Sequence, residues 1–137
     1  MTRQQPRLLI AAVAVITLGV LAWLAWPSAS SGPTVLKSAT GLHTVQLSVD
    51  APRLGTNSFG VEVTDQSGNP AKLDSVTVEP VMPQMGHALS PVTAGPEGPG
   101  RYRAAETVLP MSGQWEITIS LRGPGGTEQA VFPLLVK

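Results

Sequence analysis

The chain contains no cysteine among its 137 residues. Disulfides, thiolate metal sites and cysteine nucleophiles are therefore excluded. Charge is scarce as well: charged residues make up 13%, nine Lys+Arg balance nine Asp+Glu, and no basic block stands out. Nucleic acid is not an expected partner of such a surface. Aromatic residues are only 4%, whereas there are fourteen glycines and thirteen prolines. That balance favours a small, turn-rich β domain over a helical one.

The one long apolar run lies at the start. "LLIAAVAVITLGVLAWLAW", Leu8 to Trp26, carries no charge. As a helix it would cover roughly 28 Å, close to the roughly 30 Å of bilayer hydrocarbon. Arg3 and Arg7 precede it, and only Lys37 follows closely. The positive-inside rule then keeps residues 1–7 in the cytoplasm and exports the rest, with Trp23 and Trp26 in the outer interfacial belt. The run is longer than the apolar core of a cleaved signal peptide, which favours an uncleaved single-pass anchor over residues 8–26. The competing reading is cleavage near "PSASSG", where Ser28 and Ser30 are small. Both place the remainder in the periplasm or outside the cell.

Residues 27–33, "PSASSGP", read as a linker. Residues 34–137 read as one β domain. Val45, Leu47 and Val49 alternate in 42–50, and Phe59, Val61 and Val63 in 58–65. Segments 74–81, 101–109, 114–122 and 128–136 also read as strands. Pro91 demotes 87–94 towards a sheet edge. "QSGNP", "GPEGPG" and "GPGGT" are turns. About seven short strands at this spacing predict an all-β, immunoglobulin-like antiparallel β-sandwich, with Trp115 as its core anchor.

The chemistry concentrates in "MPQMGH", residues 82–87. There are four methionines and two histidines in the chain. Met82, Met85 and His87 all fall in these six residues. Thioethers are soft ligands that select Cu(I), carry no proton to lose and form no disulfide; imidazole adds a stronger nitrogen. The remaining non-initiator methionine, Met111, lies in "LPMSG". If "GPEGPG" is a hairpin tip centred between residues 97 and 98, paired positions sum to about 195 and Gln84 faces Met111. Met82, Met85, His87 and Met111 would then converge at one end of the sandwich. The same residues admit a structural reading. Methionine fills irregular core gaps, so Met82 could cap the core, Met111 pack under the loop, and His87 bond a backbone carbonyl.

The stretches "MPQMGHALSPVTAGPEGPGRYRA", "LPMSGQWEITISL" and "VQLSVDAPRLGTNSFGVEVTDQSGNPAKLDSVTVEPVMPQMGH" resemble the YtkA-like family, which overlaps with FixH-like proteins. The likeness spans roughly 42–136. It implies a small extracytoplasmic β-sandwich behind an anchor or signal, with copper-handling, metal-efflux or oxidase-assembly partners. It also implies that Met82, Met85, His87 and Met111 are the family positions at the loop. Pro83, Gly86, Gly98, Gly100, Tyr102 and Trp115 are implied as scaffold. FixH-like chains differ in having a longer membrane-proximal region.

Other constellations are weaker. His43 sits in an alternating strand, as an auxiliary copper ligand at most. Ser90 and Ser112 lack a nucleophile elbow, an orienting carboxylate and an oxyanion hole, so no enzyme is expected. Asp50, Asp65 and Asp74 are scattered at strand ends and suit turns better than calcium. Arg101 and Arg103 share a strand face, with Glu116 or Glu106 as candidate partners. The function expected is a membrane-anchored binding protein that holds Cu(I) for delivery or buffering. The alternative is a metal-free assembly or adaptor module of a membrane complex.

Overall fold

Alternation of apolar and polar residues every second position builds two faces into most segments of this chain, and the apolar faces can be buried only against one another. The computed structural model describes residues 33–137. The expected anchor over 8–26 and residues 1–32 generally lie outside them. Among the described residues no helix is long and apolar enough to cross a membrane.

The described residues form two antiparallel sheets of five strands each, packed as a β-sandwich. The first sheet runs β1 (Thr34–Ala39), β2 (His43–Val49), β3 (Gly55–Asp65), β8 (Arg101–Leu109) and β7 (Gly95–Gly98), in that spatial order. The second runs β10 (Gly126–Val136), β9 (Gly113–Gly123) and β4 (Ser75–Met82). Its outer edge consists of two fragments on β4, β5 (His87–Ala88) and β6 (Val92–Thr93). All seven expected strand segments are present. β1 is additional. Its "TVLKSA" carries one inward apolar residue, Leu36, too few for a visible alternation, yet it pairs in full with β2, from Thr34 opposite Val49 to Ala39 opposite Thr44.

The core lies between the sheets. Val45, Leu47, Phe59, Val63, Val76, Val78, Trp115, Ile117 and Ile119 are wholly buried in it. Each comes from an alternating run, so the sequence pattern and the buried face coincide. The sheet edges are broken up. β7 is "GPEG", β5 and β6 are interrupted at Pro91, β10 carries Pro133 mid-strand, and β1 exposes Lys37. Such edges resist pairing with another chain.

The register of one hairpin differs from the expectation. Gly95 pairs with Arg103 and Gly98 with Arg101, so the tip lies at Pro99 and Gly100 rather than between 97 and 98. The pairing also stops at Gly95. Before it the chain crosses to the other sheet, where the Ala94 N–H donates to the Val76 carbonyl (2.8 Å) and the Leu89 N–H to the Pro80 carbonyl (2.9 Å). Residues 87–93 belong to β4, and β8 continues along β3. The hairpin therefore does not carry Gln84 to Met111. Nor does Arg103 pair with Glu116 or Glu106. Its guanidinium donates to Glu97 (2.6 Å) and to the Ser58 hydroxyl (2.8 Å).

Gly100 makes the tip possible. Its φ is +67°, and its carbonyl accepts the Val63 N–H at 2.8 Å. A Cβ there would lie 2.6 Å from the Val63 carbonyl oxygen. Gly98, three residues from Arg101 along the same turn, has open space around it. Gly100→Ala should cost about 1–3 kcal/mol in urea denaturation, the scale of a left-handed backbone strain plus a clash. Gly98→Ala should change stability far less. Equal losses in the two variants would refute this account of the turn.

Candidate functional site

The β4–β5 connection is a four-residue hairpin loop. Met82 and His87 are directly opposed, and Pro83–Met85 form one 3₁₀ turn between them. Pro83 opens the turn with its φ already fixed. Gly86 closes it with φ 60° and ψ 28°, its N–H donating to the Pro83 carbonyl (3.1 Å). A loop of this length is usually built on such a turn, with glycine taking the left-handed position. The turn throws the Met85 side chain outward, leaving it 64% exposed.

Opposed residues in an antiparallel ladder present their side chains to the same face. Met82 faces the core and is only 4% exposed. His87 stands on that same face but at the sheet's edge, where no further strand covers it, and it is exposed. On one face of the same strand pair, Met82 is thus buried and His87 exposed.

Met111 reaches this end of the sandwich by a route other than the hairpin. β4 runs antiparallel to β9, with Val81 opposite Glu116, so the end of β4 meets the start of β9. A Cβ on Gly113 would lie 3.3 Å from the Met82 terminal methyl. Two residues earlier, Met111 is half-buried and packs against the core. Its carbonyl accepts the Trp115 indole N–H at 3.0 Å. Trp115 is wholly buried, so this bond ties the β8–β9 connection to the core. The segments 82–87 and 111–113 are neighbours at one end of the sandwich. The side chains grade from buried (Met82) through half-buried (Met111) to exposed (Met85 and His87). Among the described residues no three His, Asp or Glu side chains cluster as metal ligands. The side-chain donor atoms at this end of the sandwich in Met82, Met85, Met111 and His87 are three thioethers and one imidazole.

His43 lies at the other end. It pairs with Asp65 where β3 finishes, far along the strands from the methionine turn. Its Nδ1 is 2.5 Å from Glu128 Oε2. The same carboxylate accepts the Thr40 hydroxyl (3.0 Å) and the Leu42 N–H (2.8 Å). Glu128 belongs to β10 of the second sheet and the other three belong to the β1–β2 turn region of the first. The cluster is a polar clasp between the sheets, beside a cavity of about 250 Å³ lined in part by Leu42, Leu73, Leu121 and Pro124. In the sequence Glu128 reads as an ordinary strand residue. Nothing local distinguishes it, because its partners lie 85 or more positions away.

The comparisons with known proteins bear on this arrangement. A family model described as YtkA-like matches residues 39–120, from the end of β1 into β9, with the methionine turn and Met111 inside it. No curated protein matches the chain significantly. A crystal structure of an engineered protein is similar over 80% of this chain, with a TM-score of 0.49 and 19% identity. The match covers 21% of that protein's length.

The clasp makes a pH prediction. Hydrogen bonding from His43, with help from the Leu42 N–H and the Thr40 hydroxyl, holds the Glu128 carboxyl below its ordinary 4.5. A depressed carboxyl stabilises the fold above its unfolded value, and that stabilisation is lost as pH falls through the folded value. Melting temperature should therefore fall more steeply below pH 4.5 in the native chain than in Glu128→Gln, which should already be less stable at neutral pH. Superimposable pH profiles would contradict the clasp.

Proposed function

The chain belongs to the YtkA-like family, and from the geometry of its methionine rim we propose that it is an extracytoplasmic, membrane-anchored protein that holds Cu(I) for delivery or buffering. The observation that carries this reading is the meeting of the 82–87 turn with the 111–113 segment through the Met82–Gly113 contact. Met85 and His87 are exposed, and Met111 is half-buried two residues before Gly113. Two thioethers and an imidazole from two separate segments suit a soft monovalent ion, whereas magnesium or calcium would want carboxylate or carbonyl oxygen. Met82 lies in the core. Its thioether is the fourth donor of the set and the one whose recruitment requires the turn to shift.

Function then follows from exchange. Met85 and His87 sit on a short turn at a sheet edge, open to an incoming partner. Weak neutral thioether ligands can be displaced one at a time by the ligands of a copper-handling or oxidase-assembly protein. The immunoglobulin-like arrangement of the sandwich supplies the rigid base, and the anchor over residues 8–26 would keep the cargo at the membrane.

The burial of Met82 favours a second reading at that one position, in which the loop is scaffold for a metal-free adaptor module. The two readings separate in one experiment. Residues 34–137, which contain the whole core, should bind one equivalent of Cu(I) in competition with a chromogenic chelator. Replacing Met85 and Met111 together by leucine should weaken binding by about tenfold or more, at least 1.4 kcal/mol. Affinity unchanged by that double substitution would remove the copper assignment and leave the adaptor.

A further inference from the structure

The cavity beside the Glu128 clasp is built from both sheets, at the end of the sandwich away from the methionine turn. Its volume is about 250 Å³. An enclosed apolar cavity of about 150 Å³ is already enough to hold benzene. Leu42, Leu73, Leu121 and Pro124 supply the apolar wall. The turn 123–126 closes one side with glycine backbone, packed directly on two of those leucines. A Cβ on Gly125 would lie 2.9 Å from Leu42 Cδ1, and one on Gly123 would lie 3.1 Å from Leu73 Cδ2. The shape is therefore set before any occupant arrives, as in most small-molecule sites.

The charged lining is acidic. Asp65 comes from the end of β3 and Glu128 from β10. His43 is linked to both: it faces Asp65 in the β2–β3 ladder, and its Nδ1 bonds Glu128. Hydrogen bonding, from His43 foremost, holds the Glu128 carboxyl below its ordinary pKa, so it is ionised at neutral pH. Neither Lys nor Arg is among the described residues that line the cavity. Lys72 and Arg122, beside Leu73 and Leu121 in sequence, are exposed and do not line it. Acceptor capacity is also left over. Asp65 Oδ1 takes the Ser67 and Asn69 N–H groups, both at 2.9 Å, whereas Oδ2 accepts from none of the described residues. Glu128 Oε1 takes only the Leu42 N–H, at 2.8 Å, and has a second lone pair. Ionised carboxylates only accept, so a matching ligand brings N–H donors and positive charge. A metal ion is a poor match, because among the described residues no three His, Asp or Glu side chains cluster to hold one.

We infer that this cavity binds a small organic cation: a primary ammonium on an apolar body the size of one ring, with the ammonium directed to Asp65 and Glu128 and the body against Leu42, Leu73 and Leu121. An anion of the same shape is repelled by those two carboxylates, and a neutral one gains the apolar contact alone. The site is separate from Met85, His87 and Met111, and it does not depend on the copper reading.

The test titrates phenethylammonium into the full chain in maltoside detergent and follows leucine methyl resonances. The Leu42, Leu73 and Leu121 methyls should shift along saturable curves, while those of Leu36 and Leu135 stay in place. Hydrocinnamate, an anion with the same ring, should shift none of the three. Asp65→Asn keeps Oδ1 for its turn and removes the charge. It should weaken phenethylammonium binding by about threefold or more, and the double variant Asp65→Asn, Glu128→Gln by about tenfold or more. Comparing variants with one ligand in one detergent holds its partition into micelles constant. A Trp115 indole resonance in its native position certifies that each variant is folded; where the double variant is not, Asp65→Asn alone decides. Affinity unchanged by Asp65→Asn would overturn the inference. So would hydrocinnamate binding as well as phenethylammonium, or shifts spread over every leucine without saturation at these three.

Discussion

The bond from the Trp115 indole N–H to the Met111 carbonyl joins the two halves of this protein's physics. Trp115 is buried to the last atom between the sheets, with Leu134 opposite it on β10. A buried indole needs an acceptor, and the one it finds is on the loop that carries the half-buried methionine. Packing energy from the middle of the core is thereby spent on fixing a surface loop. The same loop then meets the end of β4 through Met82 and Gly113. Without that anchorage, Pro110 to Ser112 would be a free connection, and Met111 would have no defined place beside the 82–87 turn.

The two ends of the sandwich have become chemically distinct around this anchorage. One end has thioethers, an exposed imidazole and most of the exposed apolar side chains, and it receives the incoming chain. The other has the Glu128 clasp, with His43, Thr40 and Leu42 pinned to one carboxylate across the two sheets. Among the described residues the methionine end holds no ion pair, and its loops are set by backbone geometry and packing instead. Asn57 illustrates this. It is buried, and its amide satisfies Arg53 and Gly55 backbone groups at 2.7–3.1 Å, holding the β2–β3 connection in place without charge.

Much of the fold was legible in the sequence because burial follows alternation. Val45, Leu47 and Val49, or Trp115, Ile117 and Ile119, declare an inward face by spacing alone. β1 was not legible, since a single inward leucine among Thr34, Ser38 and Ala39 makes no pattern. The crossing at Ala94 was also hidden. "GPEGPG" looks like the tip of one long hairpin, and only Pro91 hints that the chain before it serves another sheet. That crossing is why the expected register between Gln84 and Met111 fails while the expected neighbourhood of the two segments holds: β4–β9 pairing and Trp115 bring them together instead. The clasp at Glu128 was invisible, being made wholly of partners distant in sequence.

Trp115 is the single tryptophan of residues 33–137, so its indole N–H gives one nitrogen-15 resonance. Hydrogen exchange of that resonance, followed before and after one equivalent of Cu(I), tests the link between core and rim most directly. The account predicts a strongly protected indole proton whose chemical shift moves on metal addition while its protection persists or increases. An indole proton that exchanges freely in the native domain, or a protected one whose shift is indifferent to Cu(I), would contradict it.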